Sequence, residues 1–280
     1  MAQYIEATIK SVLSQGYPNL EYIVIDGGST DGTQQIIEKY KDQLAYYVSE
    51  PDNGMYDAIN KGFNKATGDI LAWINADDVY MPWTLETVNR IFSFYPETQW
   101  IGGKYAFLNE DGTLGQIFPK TCIRSQRDIA SGWCRDGILG PLQQESMFWR
   151  KELYSSSRGL DTSYRYAGDF ELWTRFAAYA PLAKIDIPLA AFRKRKTSLS
   201  RDGKEKYEAE IKKAIAGKPE YPNIFWKLLH RKSIAIQLMR MLRYCKSDVF
   251  YFDVRTQKLG KKSLYGNASN HSIQSLLLYH

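Results

Sequence analysis

Asn75-Ala76-Asp77-Asp78 places two adjacent carboxylates at the end of the apolar run Ile70-Leu71-Ala72-Trp73-Ile74. Neighbouring carboxylates repel each other unless a cation or a donor-rich ligand lies between them. The run is short, carries Trp and Ile, and is bounded by Gly68-Asp69 and the acidic pair, which predicts a buried strand. Open α/β sheets bind ligands at the carboxyl ends of their strands, so 75–78 reads as a divalent-metal and phosphate site with Asp77 and Asp78 as metal ligands. Capping of the helix that starts near Pro82 is the other use open to Asp77 or Asp78. A second strand ending the same way favours the ligand reading. Glu21-Tyr22-Ile23-Val24-Ile25 runs into Asp26-Gly27-Gly28-Ser29-Thr30-Asp31-Gly32-Thr33, where Gly27 and Gly28 allow a sharp turn and close approach to a ligand, and Asp26 stands at the strand tip. A further acid, Asp169, falls in the first turn of a predicted helix, where it would at least meet the helix dipole, a contribution of about 0.3–1 kcal/mol.

These acids need a frame. Tyr4, Ile5, Ile9, Val12 and Leu13 have helical spacing over 3–14, and Gly16-Tyr17-Pro18-Asn19 ends that helix. Strands are predicted at 21–25, 44–48 and 70–74. A helix through Ile36, Ile37 and Tyr40, capped by Ser29, Thr30 or Asp31, lies between the first two. A second, over 55–66 with Tyr56, Ile59 and Phe63 on one face, precedes the third and points its N-terminus at the strand tips. This alternation gives βαβ units and an α/β fold with a Rossmann-like, mostly parallel sheet flanked by helices. Farther on, the pattern predicts a helix over 82–94, a strand over 100–107, a hairpin turn at Asn109-Glu110-Asp111-Gly112 and a flexible loop over the site at 119–142. The helix opening at Tyr166-Ala167-Gly168-Asp169 buries positions 170, 172, 173, 176 and 177, and a strand pair surrounds Pro188. Residues 203–216 and 222–244 read as helices, and the last 35 or so residues carry no assignment. The chain thus divides into a domain at 1–200 and a helical, basic C-terminal extension at 201–280.

Composition narrows the partners. With 280 residues and 44% hydrophobic content, the chain can bury a sizeable core. Its three cysteines form neither a CxxC pair nor an even disulfide set, which suits reduced thiols in a cytoplasmic compartment. No apolar run is long enough to span a bilayer, and the first 13 residues are amphipathic with Glu6 inside them, unlike a signal peptide. Residues 1–189 hold 17 basic and 24 acidic side chains, whereas 190–280 hold 20 and 7. The basic part suits an anionic membrane surface or an anionic substrate. Nucleic acid is not an expected partner, because no helix-turn-helix, zinc-finger or RRM-type pattern accompanies the charge. Basic and apolar residues interleave over 222–246, which predicts peripheral association with the inner membrane face.

Five motifs in order resemble the family 2 inverting glycosyltransferases of GT-A fold: Asp26 to Thr33, Asp52-Asn53-Gly54 through Asn60-Lys61-Gly62, the DxD variant Asn75-Ala76-Asp77-Asp78, Gln144 with Phe148-Trp149, and Gly168-Asp169 followed by Leu172-Trp173-Thr174-Arg175. The resemblance covers roughly residues 3–200. It implies a nucleotide-sugar donor across the strand tips, a glycan or lipid-linked acceptor, and a role in bacterial surface-polysaccharide assembly. Donor contacts would come from Asp26, Gly28, Asp57, Asn75, Asp77 and Arg195. Asp77 and Asp78 would hold Mg²⁺ or Mn²⁺, since these ions suit oxygen ligands, and Asp169 would be the catalytic base. In two respects the chain departs from the family pattern. Where the family often has a histidine a few residues after the position of Arg193, this sequence has Arg195, which suits a diphosphate directly. The family also begins with an apolar strand, whereas this chain starts in the helix that would follow.

That strand would be central in the sheet, between 21–25 and 70–74, and without it two rows of backbone groups lack partners. An upstream apolar strand, within about 10–15 residues ahead of Met1, is therefore expected. Two other functions compete: a non-catalytic nucleotide-binding remnant, separated by donor turnover, and a nucleotidyltransferase, separated by release of pyrophosphate instead of nucleoside diphosphate.

Overall fold

The structure, a computed structural model, describes residues 1–119, 124–195, 203–220, 246–253 and 258–265. Two βαβ-like units open the chain. Helix α1 (Ala2–Leu13) buries Tyr4, Ile5, Ile9 and Val12, and is followed by β1 (Ile23–Asp26), α2 (Thr33–Glu38), β2 (Tyr46–Ser49), α3 (Met55–Lys65) and β3 (Ile70–Leu71). Then come β4 (Val79–Tyr80), α4 (Thr84–Phe94), β5 (Trp100–Lys104), β6 (Ala106–Leu108), β7 (Leu114–Ile117), α5 (Gln126–Ala130), β8 (Met147–Arg150) and α6 (Lys151–Ser156). The remaining elements are α7 (Gly168–Tyr179), β9 (Ala183–Pro188), β10 (Ala190–Arg193), α8 (Lys204–Ala214), β11 (Lys246–Asp253) and β12 (Lys258–Tyr265).

The α/β class read from the sequence is the class observed, with strand directions mixed rather than mostly parallel. The six-stranded sheet runs β12-β11-β9-β5-β8-β3. β9 is parallel to both β5 and β11, but β8 inserts antiparallel between β3 and β5, and β12 closes an antiparallel hairpin on β11. A second sheet, β4-β10-β6-β7, extends beyond it, and β1 and β2 pair in parallel on their own. β11 and β12 lie in the stretch that had no assignment, and Val249 and Phe250 on β11 are buried. In its described residues the C-terminal extension is thus one helix and a strand hairpin. The proposed basic helix at 222–244 lies outside the described residues.

The strand expected over 70–74 pairs only at Ile70 and Leu71, with Arg150 and Trp149 of β8. β1 likewise pairs on one side alone, with β2. Among the described residues no strand adjoins the other edge of either. Between them opens a cavity of about 2060 Å³ whose apolar wall includes Ile23, Ile25, Phe63, Ile70, Ala72 and Ile74, and whose polar end holds the acidic site.

The core beside this cavity is aromatic. The Trp73 and Trp173 rings stack at 5.7 Å, Trp100 stacks on Trp173 at 5.9 Å, and Trp149 meets Trp73, Trp173 and Phe176 edge-on. Such pairs add about 0.5–1.5 kcal/mol each beyond the area they bury. Trp73 lies two residues before Asn75, and Trp173 one turn after Asp169. The stack therefore fixes the acidic turn and α7 to each other.

The stretch 119–142 is more ordered than the flexible loop expected from its lack of periodicity. In its described part, Ser125 caps α5 by accepting the Asp128 N–H at 3.0 Å, and Ile129, Trp133 and Cys134 are buried. Its apolar residues pack in an irregular backbone path with neither a 3.6 nor a 2.0 residue period, which is why the sequence pattern missed them. Burial also raises the Cys134 thiol pKa to about 12, so it is a packed thiol.

Candidate active site

The turn after β3 bends back on itself, with the Asp78 N–H bonding Asn75 O at 3.2 Å, and so aims its two acids in different directions. Asp78 is fully buried. Its Oδ1 accepts the backbone N–H of Arg193 at 2.9 Å and its Oδ2 accepts from Asn75 Nδ2 at 3.2 Å. Burial, and then the charge of Asp77, raise its pKa to about 7. Asp77 faces the cavity and pairs with Arg195 Nε through Oδ2 at 2.6 Å. Both carboxylates were expected to serve as metal ligands here; only Asp77 borders the cavity, because β10 runs alongside and draws Asp78 inward as a backbone acceptor.

The two arginines also differ. Arg193 is buried, donates from Nε to Asp77 O at 2.7 Å, and reaches Glu110 O at 3.3 Å, so it ties the acidic turn to β10 and the β6–β7 hairpin. Arg195 reaches the cavity, and its guanidinium lies over the Tyr4 ring at 5.6 Å. Helix α1 thereby supports the cation opposite Asp77.

Asn75 bonds Gln144 Oε1 at 3.3 Å, and Gln144 Nε2 holds Trp73 O at 2.8 Å. This pins the strand end to the turn ahead of β8. The next residue, Glu145, is buried, and burial followed by the charge of Asp78 pushes its carboxyl well above the usual range. Nothing in the spacing of charged residues around Gln143-Gln144-Glu145 marked it as a buried acid beside the site.

Asp169 lines the same cavity from the first turn of α7. Its Oδ1 accepts from the Tyr56 hydroxyl at 3.1 Å, and its N–H donates to that oxygen at 3.2 Å. Burial raises its pKa, against the opposing effect of bonds from the Phe170 N–H and Tyr56. A carboxylate made more basic in this way suits proton abstraction. Gly168 permits the contact, since a Cβ there would lie 2.7 Å from the Tyr56 ring. Gly168→Ala is accordingly expected to destabilise the fold by about 1–3 kcal/mol. Thermal denaturation checks this, and an unchanged melting temperature would show that the ring is free to move.

The other sequence-predicted residues stand apart from the cavity wall. Asp26 accepts from Ser49 Oγ at 2.6 Å and the Ser29 N–H at 2.9 Å; burial pushes its pKa up, but these bonds together hold it below the usual carboxylate value. Gly28, at φ 80°, forms the turn beyond it and packs near Pro51. Asp57 accepts the Asn53 N–H at 3.0 Å and pairs with Lys61 at 3.6 Å, which organises the entry to α3. The structure therefore brings Asn75, Asp77, Asp169 and Arg195 to one cavity and leaves Asp26, Gly28 and Asp57 beside it.

Comparison with known proteins agrees with this architecture. The Glycosyl transferase family 2 profile matches residues 2–128. An uncharacterized glycosyltransferase of Rickettsia typhi is 36% identical over 180 residues, covering 62% of this chain and 55% of the relative. One from Haemophilus influenzae is 26% identical over 201 residues, covering 68% and 61%. The chain therefore spans less than two thirds of either relative. Among solved structures, Staphylococcus aureus TarS 1-349 in complex with UDP-GlcNAc superposes with a TM-score of 0.59 at 18% identity, over 78% of this chain and 64% of that one. A mannosyltransferase of Pyrobaculum calidifontis in complex with GDP-Man and Mn2+ does so at 0.54 and 20%, over 82% and 65%. With its acidic turn and helix-borne acid set in an α/β frame like that of these solved structures, the chain is similar to glycosyl transferase family 2 over residues 2–128.

Proposed function

We propose that the protein is an inverting glycosyltransferase that moves a sugar from a nucleoside-diphosphate sugar to a glycan or lipid-linked acceptor. The observation that carries this reading is the placing of Asp77, Arg195 and Asp169 on one cavity, with the acidic turn and α7 locked together by the Trp73–Trp173 stack. The UDP-GlcNAc and GDP-Man bound in the two structural neighbours support a nucleotide-sugar donor.

In this reading the donor diphosphate lies against Asp77 and Arg195. Arg195, a planar cation already at the cavity wall, is placed to pair with it. Among the described residues no group of three or more acidic, His or Cys side chains is arranged to hold a metal ion, so a protein cage for a metal does not fit. A site of one carboxylate does, because Mg²⁺ takes one or two carboxylates and fills its sphere with phosphate and water oxygens. Asp77 would hold the ion, with Asp78 holding the turn, and the ion would neutralise charge on the departing diphosphate. Asp169 takes the proton of the acceptor hydroxyl as its oxygen bonds the anomeric carbon. The bond to the diphosphate breaks on the opposite face, which inverts the configuration.

A surface-polysaccharide role at the inner membrane face belongs to the same proposal, with the basic segment 222–246 as the membrane contact. No helix among the described residues is long and apolar enough to cross a membrane. Sedimentation with anionic liposomes is expected to capture the protein at low salt and release it at high salt; no capture at low salt overturns this part. The edges of β1 and β3 that no strand among the described residues adjoins favour the second reading, a non-catalytic nucleotide binder, and donor hydrolysis with and without Mn²⁺ separates the two. Metal-dependent release of nucleoside diphosphate supports the transferase, and metal-dependent binding without turnover supports the binder.

A further inference from the structure

We propose that Tyr56 and Glu210 are positioning residues for Asp169, Tyr56 holding its carboxylate from α3 and Glu210 holding the backbone that leads into its helix from α8. This rests on the reading of Asp169 as the base.

The chain enters α7 through Arg165-Tyr166-Ala167, whose three N–H groups all bond one carboxylate. Glu210 Oε1 accepts from Arg165 N at 2.8 Å, and Oε2 accepts from Tyr166 N and Ala167 N, each at 2.8 Å. Three short bonds from consecutive amides to an anion make a charge-assisted clamp and define the path of the loop. The next two residues are Gly168, pressed on the Tyr56 ring, and Asp169 itself. Tyr56 is 2% exposed, and its hydroxyl touches both the carboxylate and the backbone N–H of Asp169. A hydroxyl that donates to a carboxylate favours the charged form, so Tyr56 opposes the rise that burial imposes on Asp169.

The charged and titratable groups around Asp169 come from three directions. Tyr56 faces it from α3, Tyr207 and Glu210 from α8, and Glu145 from the turn before β8. Glu210 is a like charge that makes Asp169 harder to ionise, whereas the Tyr56 hydroxyl donates to it directly. Removing that hydroxyl alone therefore has a defined sign: Asp169 becomes a weaker acid. Glu210 acts by fixing the loop instead of by contact with the carboxylate. Both ends of this clamp lie beyond the matched stretch 2–128, and the Tyr56 hydroxyl joins Asp169 to that stretch.

The test follows the carboxyl of Asp169 by ¹³C NMR in the full chain labelled at aspartate, assigned with Asp169→Asn. In Tyr56→Phe its pKa is expected to rise by about 1 unit or more, the consequence of losing one hydrogen bond to a charged group. In Glu210→Gln, which keeps the size of the side chain, amide exchange at residues 165–167 is expected to accelerate about tenfold or more, with the exchange of β5 and β9 unchanged. An Asp169 that titrates as in the parent, or amides 165–167 that exchange at the parent rate, overturns the proposal. If both shifts occur but Asp169→Asn transfers sugar at the parent rate, the contacts stand and the reading of Asp169 as the base falls.

Discussion

Asp169→Asn is expected to lower sugar transfer by about 10²–10⁴-fold, the range of a single general base, with donor affinity little changed. The amide is nearly isosteric and can still accept from the Tyr56 hydroxyl through its oxygen, so the geometry around α7 survives. What is lost is the capacity to take a proton at the position that burial makes more basic. The split between turnover and affinity carries the weight of the argument. A helix-terminal acid that only met the dipole would change stability by about 0.3–1 kcal/mol and leave turnover intact. Donor titration monitored by tryptophan fluorescence, together with steady-state rates, separates the outcomes; a lower melting temperature with full activity would reduce Asp169 to a helix-end charge.

The paired acids at 77 and 78 are expected to respond in opposite ways. Asp77→Ala should abolish metal-dependent donor binding and leave the fold intact, since Asp77 reaches the cavity and its carboxylate pairs with the Arg195 guanidinium at 2.6 Å. Asp78→Ala should instead destabilise the protein by about 1–3 kcal/mol, because it orphans the buried Arg193 N–H. Asp78→Asn keeps an acceptor for that N–H and removes a titration. With a folded pKa raised to about 7, the acid form of Asp78 is favoured by folding. Its contribution is present at pH below the ordinary carboxylate value and is lost as pH rises to about 7. The Asn variant should therefore lose less stability than the parent over that interval. Calorimetric melts at several pH values and donor binding with Mn²⁺ read both effects. Equal loss of donor binding in folded Asp77→Ala and Asp78→Ala would mean that both carboxylates serve the ligand.

The parts of this architecture that follow local rules were legible in the sequence. Periodicity placed α1, α3, α4 and α7, and the five apolar positions expected to be buried on α7, from Phe170 to Ala177, are buried. The acid at the end of 70–74 and the one opening α7 were expected at the site by type and position, and both line one cavity. What the pattern could not show was orientation: Asp77 and Asp78 are adjacent, and only the pairing of Asp78 with the backbone of β10 decides which one reaches the cavity. Long-range partners were equally silent, since Glu210 and Tyr56 are ordinary helix positions until α8 and α3 meet at Asp169. β8 reads as any short apolar strand, and its antiparallel insertion depends on a crossover that no local signal encodes. The hairpin β11–β12 lacked a turn signal as clear as Asn109-Glu110-Asp111-Gly112, and its place at the sheet edge is set by β9.

The most direct test of the account is to incubate the purified protein with UDP- and GDP-linked sugars, with and without Mn²⁺, and to identify the released product. The account predicts nucleoside diphosphate, dependent on the metal and abolished in Asp77→Ala. Release of pyrophosphate, or no turnover by a folded protein that binds donor, would contradict it.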